Sequence, residues 1–353
     1  MTLDVSGLCK PEIDVTETLG QCRELVEPVL REAVAGLHPW PGRMAAFTFG
    51  WIEADGTPRE GSGGKGMRPA LAVLSARAVG APPEAAVAGA VAVELVHAFS
   101  LVHDDIMDGD ELRRHRETAW KAYGVGPAVL AGDALLALAM GTLAQASGGD
   151  AVAALARLSD TLVELVNGQA DDVAFENRPW SGPEAVTVEE YQEMAAGKTG
   201  SLLGCAAAVG ALLGGGPAAL ADEMARMGRL LGIAFQAVDD LLGIWGDPAT
   251  TGKPVFNDLR QHKKTLPVVA ALRSDTEPGR QLADLLETGR PLDEDLLRLA
   301  AELVDRAGGR DFAQEQAETH LEEALKIIES AALDTAAAGE LAALSRYIVR
   351  RSH

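Results

Sequence analysis

The sequence predicts an all-α fold. Aromatic residues make up 4% of the 353 residues while 47% are apolar, and Ala and Leu dominate. That mix favours helix, because strands draw on β-branched and aromatic side chains. Apolar residues recur at helical spacing through long stretches, and Gly- and Pro-containing breaks separate those stretches.

Taken in chain order, residues 1–14 are expected to be weakly ordered, and one all-helical domain to occupy residues 15–353. A first helix should run from about Thr16 towards Gly36, disturbed at Pro28, whose ring removes an N–H donor. A loop rich in Gly and charge follows from Glu53 to Gly66. Breaks are expected at Pro82-Pro83, Gly109, Gly148-Gly149, Asn177 to Pro183, Gly214 to Pro217, Gly246 to Pro254, Pro278-Gly279 and Gly308-Gly309. About a dozen helices result, with no convincing strand. In one stretch Leu155, Leu158, Leu162, Leu165 and Val166 fall on a shared face. Length alone would allow about two domains, but no composition shift marks a boundary.

The formal charge of −21 argues against nucleic acid as a partner, since a phosphate backbone needs a basic face. A small anionic substrate requires local cations or bound metals to invert that field. Cys9, Cys22 and Cys205 match neither a zinc site nor a disulfide framework and read as buried or unpaired thiols. The N-terminus, with Asp4, Glu12 and Asp14, lacks a basic-then-apolar leader pattern. No unbroken apolar run reaches the ~18 residues of a spanning helix. A cytoplasmic protein without stable membrane insertion is expected.

The segment Phe99-Ser100-Leu101-Val102-His103-Asp104-Asp105-Ile106-Met107-Asp108 carries the strongest chemical signal. Asp104 and Asp108 stack on one helix face, and like charges at that spacing repel. An apolar helix that carries them needs a compensating cation, and hard oxygen ligands favour Mg²⁺. Arg113 and Arg114, just beyond, have the planar geometry that matches diphosphate oxygens. A second cluster, Gln236-Ala237-Val238-Asp239-Asp240, again ends an apolar helix. Two such ends imply facing helices sharing divalent ions, with three ions on one diphosphate.

At these residues the chain resembles the trans-polyprenyl diphosphate synthase family, as seen in geranylgeranyl and farnesyl diphosphate synthases. The resemblance implies a helical bundle around a central cavity, a homodimer, and Mg²⁺ held by Asp104, Asp108 and Asp239, with Asp105, Asp240 and Gln236 in the catalytic set. The second motif departs from the family at Gly243, where a third Asp is usual; Asp247 is the expected substitute. Gly63-Gly64-Lys65-Gly66-Met67-Arg68-Pro69 resembles the segment whose Lys and Arg hold isopentenyl diphosphate, so Lys65, Arg68, His97 and Arg114 are implied as that site. Gly197-Lys198-Thr199 fails as a nucleotide P-loop because Gln192 stands where Gly is needed. The resemblance places Lys198 and Thr199 at the allylic substrate, with Lys198, Arg113 and Lys253 on its diphosphate, and puts Asp258 and Lys263, the latter as a substrate-binding residue, in a further family-like segment from Asn257 to Pro267. Gln169 and Asp172 are implied as support for the first cluster.

The implied reaction joins an allylic diphosphate to isopentenyl diphosphate by ionisation, condensation and loss of a proton. Phe99 lies about 7–8 Å along the helix before Asp104 and would floor the cavity, pointing to geranylgeranyl diphosphate, with farnesyl diphosphate as the alternative. A class I terpene cyclase would not need Lys65, Arg68 and His97, and a non-catalytic subunit of this fold would not need both acidic clusters.

Overall fold

The computed structural model describes residues 13–59, 64, 66–248 and 254–350. Lys65, Lys253, Cys9 and residues 1–12 therefore lie outside the described residues. Helix α1 (Val15–Ala35) starts at Asp14, whose carboxylate accepts from the N–H groups of Thr16 and Glu17 and satisfies two of the orphan donors of the first turn. Pro28 lies inside it. There follow α2 (Pro39–Thr48), α3 (Met67–Ala78), a short 3-10 turn (Pro83–Ala86) and α4 (Val87–Asp108). α4 stops at Gly109, which takes the left-handed conformation (φ 66°) of a helix C-cap.

The expectation of no strand needs one correction. Leu112–Arg113 (β1) pairs antiparallel with Arg116–Glu117 (β2). Arg114 and His115 join them with positive φ at both positions (52° and 61°), the pattern of a tight hairpin turn. The sequence hid it, because Asn-Gly or Asp-Gly would normally mark such a turn. Both arms are tied down instead: Arg113 to Asp105, and Arg116 to the carbonyls of Phe47 and Ile52.

The remaining elements are α5 (Ala119–Tyr123), α6 (Val125–Ala144), α7 (Ala151–Glu176), α8 (Val188–Ala195), a π-helical turn (Ala196–Gly200), α9 (Ser201–Leu213) and α10 (Ala218–Trp245). They are followed by α11 (Asn257–Arg260), α12 (Leu266–Leu272), α13 (Glu277–Leu286), α14 (Glu294–Arg306), α15 (Gly309–Ser330) and α16 (Thr335–Arg350). A capping box between Thr187 and Glu190 starts α8. The expected break at Pro278-Gly279 falls slightly early: Thr276 caps α13 and Pro278 sits in its first turn, where its missing N–H costs nothing.

Helix α9 is buried along its whole length and is surrounded by α3, α4, α7 and α10. Small side chains let these helices approach: a Cβ on Gly228 of α10 would lie 2.4 Å from the Leu203 carbonyl oxygen of α9. A satellite core built on Ile244, Leu259, Val268, Leu282, Leu297 and Val304 seats α11 to α14 against the end of α10. On α7, Leu158 and Leu165 are buried and Leu155 and Leu162 pack against the core, but Val166 is 53% exposed. The expected face therefore ends one residue earlier.

Three stretches, Pro83–Asp108, Val125–Ala144 and Val188–Leu213, are long and apolar enough to cross a membrane by length and composition. This corrects the expectation drawn from unbroken runs. In the first and third, 61% and 94% of the apolar window is buried inside the fold, against 33% in Val125–Ala144.

Candidate active site

The ends of α4, α7, α10 and the π-helical turn meet around one cavity of about 1250 Å³. Asp104 and Asp108 line it from α4 and Asp239 from α10, so the two acidic clusters face a common space. Across it, the Lys198 ammonium donates to Asp104 at 3.3 Å and to Asp172 of α7 at 2.5 Å. Lys263 donates to Asp108 at 2.6 Å. Lys198 and Lys263 thus pair with the stacked aspartates from across the cavity. Burial pushes the Asp104 carboxyl up, but Lys198, Arg113 and Lys263 outweigh it and hold the group below the usual carboxylate range. Burial likewise works against the charged forms of Lys198 and Lys263, yet the carboxylates around them hold both above the ordinary lysine value.

Asp105 does not share this face. The 100° step per residue turns it away from the cavity, and it accepts from Arg113 Nε at 2.7 Å. Burial drives its carboxyl up to about 6 against the pull of Arg113. There it anchors Arg113. Asp240 borders the cavity but is only 3% exposed. It accepts from the Tyr191 hydroxyl, from Gln236 Nε2 at 3.0 Å and from the Leu266 N–H at 2.8 Å. Burial pushes it up to about 7, partly offset by Tyr191. Gln236 in turn accepts from the Thr199 hydroxyl at 2.8 Å, so Thr199, Gln236, Asp240 and Tyr191 form one chain of hydrogen bonds across α10 and α8.

The second group of expected residues lies at the other end of the cavity. Arg68 NH1 and His97 Nε2 are 3.2 Å apart. Arginine has donors only, so His97 accepts there and is neutral. Burial, then the charges of Arg68 and Arg114, push His97 well below its usual value. Arg114 lines the same region from the hairpin turn. Phe99 is 7% exposed, lines the cavity, and meets His103 edge to face at 4.9 Å between ring centroids.

Gly243 is explained by space. A Cβ there would lie 1.9 Å from Asp258 Oδ2, so the carboxylate of Asp258, from α11, occupies the ground that a larger residue would need. Asp258 lines the cavity and Asp247 does not. Among the described residues Asp258 is thus a further acid at the cavity beside Gly243. Tyr191 was not anticipated, although its seven-residue spacing from Lys198 would have placed both on one helical face. Cys22 and Cys205 are buried free thiols raised by burial to about 11 and about 12, and are inert.

Among the described residues no three His, Cys, Asp or Glu side chains converge as a ready-made metal cage. Asp104, Asp108 and Asp239, which line the cavity, are hard oxygen donors of the kind that suit Mg²⁺, an ion that keeps waters and takes one or two carboxylates plus substrate phosphate.

The model for the polyprenyl synthetase family matches residues 59–304. A farnesyl diphosphate synthase of Mycobacterium tuberculosis is 44% identical over 336 residues, 94% of this chain and 92% of the relative. A geranylgeranyl diphosphate synthase of the same organism is 42% identical over 353 residues, 99% of this chain and 98% of the relative. The crystal structure of a polyprenyl synthetase from Streptomyces coelicolor A3(2) superposes with a TM-score of 0.89 at 45% identity, covering 95% of this chain and all of the other.

Proposed function

The chain belongs to the polyprenyl synthetase family and is a prenyltransferase that extends allylic diphosphates with isopentenyl diphosphate, and on that premise we propose that its main product is geranylgeranyl diphosphate. The observation that carries this reading is Phe99. It stands buried in the cavity wall one and a half turns before Asp104, braced by the His103 ring. A tail growing down α4 away from the carboxylates meets that ring. The alternative is farnesyl diphosphate, the product in the name of the M. tuberculosis relative of 44% identity. Mass spectrometry of products from dimethylallyl, geranyl and farnesyl primers separates the two. Twenty-carbon product from every primer supports the proposal, and accumulation at fifteen carbons refutes it. Phe99→Ala should shift product to longer chains; an unchanged distribution would remove Phe99 as the floor.

Asp104 and Asp108 on α4 and Asp239 on α10 would hold the metal, three Mg²⁺ ions with the diphosphate bound. Magnesium supplies charge neutralisation of the leaving diphosphate. Lys198 and Lys263, now on Asp104 and Asp108, would turn to the diphosphate oxygens, joined by Arg113, which Asp105 orients. Lys253 and Lys65, expected on the allylic and isopentenyl diphosphates, lie outside the described residues. Arg68, neutral His97 and Arg114 would fix the isopentenyl diphosphate so that its double bond faces the allylic carbon as the C–O bond breaks. Thr199 and Gln236 border that carbon with oxygen dipoles. The proton lost at the end has released diphosphate as its acceptor. Apolar walls keep water from trapping the cation.

A homodimer is part of the proposal, formed across α6 and α7. Val152 and Val163, eleven residues apart on one face of α7, are exposed outside the cavity, as are Val125, Val129 and Leu130 on α6. Sedimentation should give twice the chain mass, and Val163→Glu should give the single chain. A wild-type monomer would overturn it. The proposed location is the cytoplasm.

A further inference from the structure

A second, smaller cavity of about 120 Å³ adjoins the end of the site where Arg68, His97 and Arg114 lie, and shares those three residues with the main cavity. One of its walls is α1. Arg23, Val26, Glu27 and Leu30 line it at the i, i+3, i+4, i+7 spacing of a single helical face. Helix α1 precedes residues 59–304 and so lies outside the family match.

Helix α1 is seated firmly here. Arg31 lies over the Trp51 ring at 4.3 Å, and Trp51 stacks on Phe49 at 4.7 Å, both aromatic rings lining the small cavity. Glu27 pairs with Arg31 at 2.6 Å, so its charge is engaged one turn further along α1 than Arg23. Arg23 lines both cavities, and its NH2 donates to the Gly64 carbonyl oxygen at 3.3 Å. A Cβ on Gly64 would lie 3.3 Å from Arg114 NH1. Two guanidinium groups thus approach one backbone residue, from α1 and from the hairpin, within the cavity that also contains Arg68. A long, single bond to a carbonyl uses one of the five donors of Arg23. A diphosphate placed between Arg68 and Arg114 would meet the others, and charge-assisted contacts to phosphate are the stronger kind.

We propose that Arg23 is a substrate-binding residue for the isopentenyl diphosphate headgroup, a third arginine delivered by the N-terminal helix beside Arg68 and Arg114. This rests on the reading of that end of the cavity as the isopentenyl site.

The test is initial-rate kinetics on the full chain for wild type, Arg23→Lys and Arg23→Gln. Isopentenyl diphosphate and an allylic primer are varied in turn, with calorimetric titration of isopentenyl diphosphate as a readout independent of turnover. For Arg23→Gln the KM and the calorimetric Kd for isopentenyl diphosphate should rise about tenfold. Its kcat and allylic KM should stay within about twofold, and Arg23→Lys should fall between it and wild type. The melting temperature should not move, because Arg23 is exposed. An unchanged isopentenyl KM in Arg23→Gln would overturn the proposal. So would a rise in both KM values with a lowered melting temperature, which would make Arg23 structural. Wild-type enzyme that incorporates no isopentenyl carbon would instead sink the underlying reading, and that control is scored before any variant.

Discussion

Asp104→Asn should reduce turnover by roughly 10³-fold or more, the scale of removing a preorganised electrostatic group at a charge-developing centre. The substitution preserves shape and removes charge. In the wild type three cations, Lys198, Arg113 and Lys263, hold Asp104 ionised despite its burial. Asn could neither bind a divalent ion as a carboxylate does nor balance Lys198, which would remain on Asp172 alone. Stability should fall as well, because the pull of Lys198, Arg113 and Lys263 on the ionised Asp104 outweighs the cost of its burial and is lost in Asn. The contrast is Asp105→Asn. There the loss falls on a buried partner of Arg113 at 2.7 Å, so stability should fall while turnover drops less than in Asp104→Asn. Diphosphate release in single turnover, calorimetry of Mg²⁺ with inorganic diphosphate, and denaturant midpoints would distinguish the two. Asp104→Asn retaining more than a tenth of wild-type turnover would remove that carboxylate from the metal site.

The second large effect concerns Gly243, and its sign runs against sequence intuition. Aspartate at this position matches the usual pattern of the family, so Gly243→Asp looks like a repair. The structure predicts damage. The new Cβ would lie 1.9 Å from Asp258 Oδ2, a separation that forces the Asp258 carboxylate or the backbone of α10 to move. A second negative group would then compete for the same ground. Turnover should fall roughly 10²-fold, since a displacement of about 1 Å at a catalytic constellation costs about that much, and overpacking should cost about 1–3 kcal/mol of stability. Adding Asp258→Gly to Gly243→Asp vacates the space and should recover much of both losses. Wild-type activity in Gly243→Asp alone would show that Asp258 does not occupy that position in solution.

Much of the site was legible because its chemistry is written at helical spacing. Asp104 and Asp108 are one turn apart, so any helix must present them together, and the apolar residues before them require that helix to be internal. Lys198 could be singled out as a cation, but its pairing with both Asp104 and Asp172 depends on where α7 and the π-helical turn pass α4. Asp105 and Asp240 looked equivalent to their neighbours. Burial and specific donors, Arg113 for one and Tyr191, Gln236 and the Leu266 N–H for the other, set them apart. The hairpin at Arg114-His115 was invisible because its turn uses residues that local propensity disfavours, held there by contacts of the flanking arms.

By itself the sequence determined the helical class, the order of the elements and the two acidic helix ends, since these follow from side-chain periodicity and from residue types next to one another in the chain. Only the tertiary structure decided which carboxylates face the cavity, that Asp258 takes the room left by Gly243, and that α1 brings Arg23 beside Arg68 and Arg114. Those outcomes depend on distances between segments far apart in sequence, and such distances are set by how whole helix faces pack, which no local spacing encodes.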